Sequence, residues 1–256
     1  MIGVGFRIKI PLGCTSSSSG MVYRIEGNMS HVLEIDGDNN PRDVAAYTVV
    51  EAARYIRIPS PTLRAWVIGL KYGLNADRAP FRPLIAPPQR DPLRLSFNNV
   101  IEAYTLRALR TKHRVSIGAA REAMDVAEHA YKIDRLLLCP ELRTRAGQLF
   151  LEKYGQLVKL TKARQLVMKL MLQANLERIE LNESKIPIRL YPADTGKNIA
   201  MDPRIAFGRP IIARRGISTA VIVDRINAGE GADEIAEDYG LEPAEVNEAL
   251  VFDQAA

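Results

Sequence analysis

The chain has 256 residues, 47% apolar and 25% charged, a length and balance that allow one large core or two small ones and exclude an integral membrane protein. Aromatics make up only 6%, and Lys and Arg outnumber Asp and Glu by 35 to 30. The resulting charge of +5 and isoelectric point near 9.2 admit a polyanionic partner without requiring one.

Residues 1–40 read as a flexible leader. Arg7 and Lys9 interrupt the apolar opening, no cleavage box follows, and Leu12-Gly13-Cys14 makes a poor lipobox behind Pro11. An overextended start, with Met21 or Met29 as the first residue, reads the same stretch equally well. Order is expected from Pro41. Thr48-Val49-Val50-Glu51 has the form of a capping box, with Val49, Ala52, Ala53 and Ile56 at helical spacing behind it. That helix must stop by Ile58, ahead of Pro59. Ser60 as N-cap and Pro61 at the first helical position open a second helix, whose buried face is Leu63, Trp66 and Val67. Two short helices across a tight turn make a helix-turn-helix.

Residues 71–92, rich in Pro, Gly and Arg, read as a basic loop or wing. Ser96 opens a helix through Val100, Ile101, Tyr104 and Leu109, and Ser116 another through Ala120, Met124 and Tyr131. A small hairpin is expected around Tyr154-Gly155, then a helix over residues 161–177 with Leu166, Leu170, Met171 and Ala174 as its stripe. Two strand-like pieces follow in residues 179–194, with Pro187 placing one at an edge. In the final block Ser218 or Thr219 starts a helix that Gly229 ends. Residues 232–239 form a second helix closed by Gly240, and Pro243 leads a third to about Phe252. The fold expected is mostly α with minor β: a winged helix-turn-helix over residues 41–146, an α/β connecting region over 147–196, and a three-helix module containing a second helix-turn-helix over 197–256.

Charge divides along the same lines. Residues 41–145 carry 18 Lys or Arg against 10 Asp or Glu, residues 146–225 carry 14 against 7, and residues 226–256 hold nine acids and no Lys or Arg. A basic body with an acidic end implies different partners for the two. Cys14 and Cys139 lie far apart in no metal-ligand spacing, which fits a reducing cytoplasm. His31, His113 and His129 fall in unrelated segments. No HisGlu-x-x-His, P-loop lysine, nucleophile elbow or CxxC occurs, so neither an enzyme nor a metal or cofactor is expected.

Two stretches carry resemblances. Tyr47-Thr48-Val49-Val50-Glu51-Ala52-Ala53, Ile56-Arg57-Ile58-Pro59 and Thr62-Leu63-Arg64-Ala65-Trp66 resemble the helix-turn-helix of MerR-like transcription regulators. That likeness implies Thr62 and Arg64 at a DNA groove, Trp66 beside the backbone unless it serves the core, and Lys71, Arg78 and Arg82 in a wing. A helix start offers free amides to phosphate, and Arg pairs with guanine through two bonds. Arg57, Ser60, Thr62, Arg64, Lys71, Arg78 and Arg82 are therefore the candidate DNA contacts. A helical hairpin with solvated arginines is the plain alternative.

The second stretch runs from Asp202-Pro203-Arg204-Ile205-Ala206-Phe207-Gly208-Arg209-Pro210-Ile211-Ile212 through Gly216-Ile217-Ser218-Thr219 to Ile235-Ala236-Glu237-Asp238-Tyr239-Gly240-Leu241. It resembles a short module first catalogued as a domain of unknown function and now associated with antitoxins. In VapB-like antitoxins such a module is joined to an upstream helix-turn-helix and encoded beside a PIN-like nuclease toxin. The resemblance implies an antitoxin that neutralises the toxin by direct binding, represses its own operon on double-stranded operator DNA, and acts as a homodimer. A MerR-like regulator without a toxin is the competing reading. Glu242, Glu245, Asn247 and Glu248 would set carboxylates against phosphates, so the last helix is assigned to protein contact. Arg204, Arg209, Arg214 and Arg215 are the candidate toxin contacts, able to bond the toxin's acidic cluster; loop arginines in local salt bridges are the alternative.

Overall fold

The Thr48 hydroxyl accepts the Glu51 amide at 3.1 Å while the Glu51 carboxylate accepts the Thr48 amide at 2.8 Å. Helix α1 (Val49–Tyr55) thus starts on the capping box that its sequence spells. These positions come from a computed structural model that describes residues 40–69, 82–113, 117, 121, 124, 135–138, 177–184, 186–193 and 196–254. After α1 the chain turns at Arg57, which takes a left-handed φ of 52°. Helix α2 (Ser60–Ile68) follows. Its cap is Pro59 and not Ser60, because the Pro59 carbonyl already accepts the Thr62 and Leu63 amides at 2.9 and 3.2 Å. Ala52, Ala53 and Ile56 of α1 meet Leu63, Trp66 and Val67 of α2 in the core. Trp66 is only 2% exposed: it is a core residue and does not stand where a DNA backbone could reach it.

The Trp66 carbonyl accepts the amides of Leu84 and Ile85, which leads the chain into a hairpin of β1 (Gln89–Arg90) and β2 (Leu93–Arg94), antiparallel across a cis Asp91-Pro92 bond. Leu95 then bridges Tyr47 through two backbone hydrogen bonds, 2.9 Å and 2.8 Å, fixing the hairpin to the entry of α1. Ser96 caps α3 (Phe97–His113) as expected. Its hydroxyl accepts the Asn99 amide, and the Asn99 side chain accepts the Ser96 amide. Asn99 also donates to Glu102, a buried carboxylate held by two hydrogen bonds from Arg135 at 2.9 and 3.1 Å. Of the helix expected from Ser116, Ile117, Arg121 and Met124 are helical. The expected hairpin around Tyr154-Gly155 and the apolar stripe Leu166, Leu170, Met171 and Ala174 lie outside the described residues.

Five strands form an antiparallel meander in chain order: β3 (Ile179–Leu181), β4 (Pro187–Leu190), β5 (Ile199–Met201), β6 (Pro210–Ile212) and β7 (Ile217–Ser218). Pro187 does not lie on an edge, since β4 has neighbours on both sides. It is tolerated because it opens the strand, opposite a register shift at Glu180 and Leu181. Leu190 of β4 pairs with Met201 of β5, so one sheet joins the connecting region to the C-terminal block.

Helices α4 (Thr219–Asn227), α5 (Ala232–Tyr239) and α6 (Pro243–Gln254) complete the chain. Gly240 ends α5 in the left-handed conformation that a glycine cap supplies. The block is therefore not three helices alone. Strands β5 and β6, buried at every position, add a sheet that the mostly-α expectation lacked. The result is a mixed α/β fold with six helices and two sheets among the described residues, and its core cluster runs from Tyr47 to Phe252.

Candidate functional site

Helix α2 has two faces of different character. Leu63, Trp66 and Val67 are buried, whereas Arg64 is exposed and Ser60 and Thr62 are half-buried. Arg82 is exposed, while Lys71 and Arg78 lie outside the described residues. Arg110 of α3 sets its guanidinium 5.9 Å from the Trp66 ring centroid, placing a further cation behind the helix. The Arg57 guanidinium lies 5.8 Å from the centroid of the Phe252 ring, in α6.

That contact belongs to a joint between the two ends of the chain. The Tyr47 hydroxyl donates to the Gly208 carbonyl at 2.9 Å, Arg209 donates to Glu51 at 3.3 Å, and Arg54 pairs with Asp253 at 3.4 Å. Burial pushes the Tyr47 phenol well above its ordinary range, so the group remains a neutral donor. Burial also works to raise the Glu51 carboxyl, but the hydrogen bonds from Thr48 and the nearby Arg209 outweigh it and hold the group below the usual carboxylate range. One carboxylate therefore caps α1 and anchors it to the chain after β5. Gly208 has a φ of 77°, and a Cβ there would fall 1.9 Å from the Tyr47 hydroxyl oxygen. Only glycine fits the joint.

The arginines expected to meet a toxin are all engaged within the fold. Arg204 donates to Asp202 through Nε at 3.0 Å and Nη2 at 2.9 Å, and Arg189 reaches the same fully buried carboxylate at 3.2 Å. Arg214 donates to Glu245 at 3.1 and 2.6 Å and to the Gly240 carbonyl at 2.8 Å, which Arg215 also reaches at 3.2 Å. These bonds pin the α5–α6 corner to the turn between β6 and β7. Glu248 accepts from Asn198 at 2.6 Å. The acids of α6 are thus partly used in holding that helix in place. Arg204 is nonetheless 58% exposed and Arg209 42%.

One exposed group escaped the sequence reading. Phe207 stands 81% exposed in the short 3-10 turn Ala206–Gly208, with left-handed φ values at both Ala206 (49°) and Phe207 (54°). No periodicity marks such a position, and Gly208 was its one local signal. Among the described residues no three His, Cys, Asp or Glu side chains gather as metal ligands, and no helix is long and apolar enough to cross a membrane.

Residues 199–252 match the family model described as "Protein of unknown function (DUF433)". Over 231 residues the chain is 29% identical to a protein named "Putative antitoxin VapB45" from Mycobacterium tuberculosis (strain ATCC 25618 / H37Rv), covering 81% of this chain and 93% of that protein. A solved structure titled "X-ray crystal structure of Rv2018 from Mycobacterium tuberculosis" superposes with a TM-score of 0.62 at 23% identity, covering 81% of this chain and 98% of that one. At that identity the superposition speaks to the fold alone. The likeness to VapB-like antitoxins implied by the motifs therefore extends across most of the chain and is not confined to its C-terminal module.

Proposed function

We propose that this chain is the antitoxin of a type II toxin–antitoxin pair. It binds a PIN-like ribonuclease toxin directly, silences it, and as a homodimer represses its own operon from the cytoplasm. The observation carrying this reading is the chain-long likeness to a protein named as an antitoxin.

For DNA, the reading uses the outward face of α2. Thr62 and Arg64 enter the major groove, and Ser60 and Arg82 meet phosphates, with Lys71 and Arg78 assigned to the same wing. For the toxin, it uses the C-terminal block. Arg204, Arg209, Arg214 and Arg215 are each bonded to an acceptor of this chain, so they act as a charged rim and not as a probe reaching into the partner.

The deciding experiment is co-expression with the reading frame beside the gene. Growth arrest by that frame alone, relieved when this chain is supplied, supports the antitoxin. A neighbour that is not toxic, together with operator binding by this chain, replaces it with a plain regulator of the MerR-like kind.

A further inference from the structure

We propose that the C-terminal block is part of the DNA-reading unit: Arg209, acting through Glu51, is a positioning residue that sets the angle at which α2 enters the groove. The proposal rests on the DNA half of the reading above. Helix α1 has seven residues, and so short a helix takes its orientation from what packs against it. Ala52, Ala53 and Ile56 carry one side of it into the core shared with α2. At about 100° per residue, Glu51 and Arg54 point from the opposite side. There the C-terminal block grips the helix. Arg209 donates to Glu51 at 3.3 Å, Arg54 pairs with Asp253 at 3.4 Å, and Tyr47, just ahead of the Thr48 cap, donates to the Gly208 carbonyl at 2.9 Å. Helix α1 is thus held between α2 and the C-terminal block.

The orientation passes to α2 because the link is short and closed. Only residues 56–59 join the two helices. Within the link the Ile58 amide donates to the Ala53 carbonyl at 3.0 Å, and the Pro59 carbonyl accepts the Thr62 and Leu63 amides. At the other end of α2 the Trp66 carbonyl accepts the amides of Leu84 and Ile85. A tilt of α1 therefore swings the first turns of α2, which carry Ser60, Thr62 and Arg64, about a fixed far end.

The joint's ion pairs are suited to direction more than to stability. Side-chain exposure is 42% for Arg209 and 41% for Arg54, and pairs as open as these add little to folding. A paired contact to a base edge, by contrast, tolerates a displacement of only about 0.5 Å. Attraction to phosphates is far less sensitive to such a shift and carries no sequence information. Loss of the joint should therefore spare general DNA affinity and lower discrimination between sequences.

The test measures, by fluorescence anisotropy, the affinity of full-length wild type and variants for the promoter fragment of the chain's own gene and for a scrambled duplex of equal length. Arg209→Gln removes a positive charge and Glu51→Gln a negative one, so simple charge effects on DNA affinity run in opposite directions. Both should nevertheless lower the promoter-over-scrambled ratio by about tenfold, the scale of one lost base contact. The double variant should lose no more than either single. Arg209→Lys, still able to pair with Glu51, should stay near wild type, and so should Lys197→Gln, which removes the same charge away from the joint. An unchanged ratio in both single variants overturns the proposal. So does a loss in Arg209→Gln that Glu51→Gln lacks, which would make Arg209 a direct DNA contact. Circular dichroism checks folding at the assay temperature. Should either variant fail to fold, Asp253→Asn carries the comparison, with the same direction expected, and an unchanged ratio there is equally fatal. If the wild type itself does not distinguish the two duplexes, the DNA reading fails and the proposal falls with it.

Discussion

Replacing Gly208 by alanine tests the joint between the α1–α2 pair and the C-terminal block. The new Cβ would fall 1.9 Å from the Tyr47 hydroxyl and 3.0 Å from its ring carbon, at a φ of 77°. Forcing a non-glycine residue into that conformation costs about 1–2 kcal/mol. Displacing the buried Tyr47 hydroxyl from the Gly208 carbonyl adds about 1–3 kcal/mol. The combined loss of about 2–5 kcal/mol should lower Tm by about 5–15 °C in a chain of this size. Urea unfolding can be followed through the single tryptophan, Trp66, which is buried in α2 against α1 and reports on the half of the molecule away from position 208. Tyr47→Phe supplies the control. It removes the clashing oxygen, costs about 1 kcal/mol alone, and should make the double variant more stable than the sum of the singles predicts by about 1 kcal/mol. Strict additivity, or a Gly208→Ala protein as stable as wild type, would refute the packing argument.

Three further outcomes are expected. Arg64→Ala should weaken operator binding by about 1–3 kcal/mol if the guanidinium reads a base, with unfolding unchanged because the side chain is exposed; band-shift titrations on operator and scrambled DNA check this, and an equal loss on both would make Arg64 a phosphate contact. The hydrogen bonds from Arg214 hold the Glu245 carboxyl below the usual glutamate range, against a burial effect that raises it. Because the native value lies below the unfolded one, this stabilisation is complete above the unfolded range and is lost as pH falls through the native value. Glu245→Gln should therefore flatten the acid limb of a Tm-against-pH profile below about pH 5, and an unaltered limb would contradict the assignment. Thr48→Ala removes one half of the α1 capping box and should cost about 1 kcal/mol in chemical denaturation; a loss near zero would mean that the joint to Arg209 alone holds Glu51 in place.

Local chemistry made the helices legible. The Thr48–Glu51 box, the Ser96 cap, the Gly240 stop and the Pro243 start are each written in two to four adjacent residues, and each forms as read. The strands of the C-terminal block were not legible, because β5 and β6 are three residues long and buried on both faces, which erases the alternation that marks a half-buried strand. Trp66 fell on the core side of an open choice because its neighbours Leu63 and Val67 continue the same buried stripe. The polarity of basic front and acidic rear was visible in composition, but its neutralisation was not. Arg214 with Glu245 and Arg54 with Asp253 join residues far apart in the chain, and no local pattern announces such pairs. For the same reason the candidate toxin contacts were found as arginines but not as arginines already bonded. Phe207 lies inside the Asp202–Ile212 motif, but nothing local signals its exposure, since an aromatic in a turn reads as buried until the backbone is known.

The hydrogen bond from Tyr47 to Gly208 spans 161 positions, and this sets an order of events during synthesis. When the ribosome has released the front helices, the Tyr47 hydroxyl, Glu51 and Arg57 have yet to meet Gly208, Arg209 and Phe252. The front is therefore sealed only after residues 208–252 have been made, and contacts of such sequence separation are slow to close. A messenger cut or a stalled ribosome before codon 208 would yield a product whose first helix is capped but never docked, a natural substrate for proteolytic clearance.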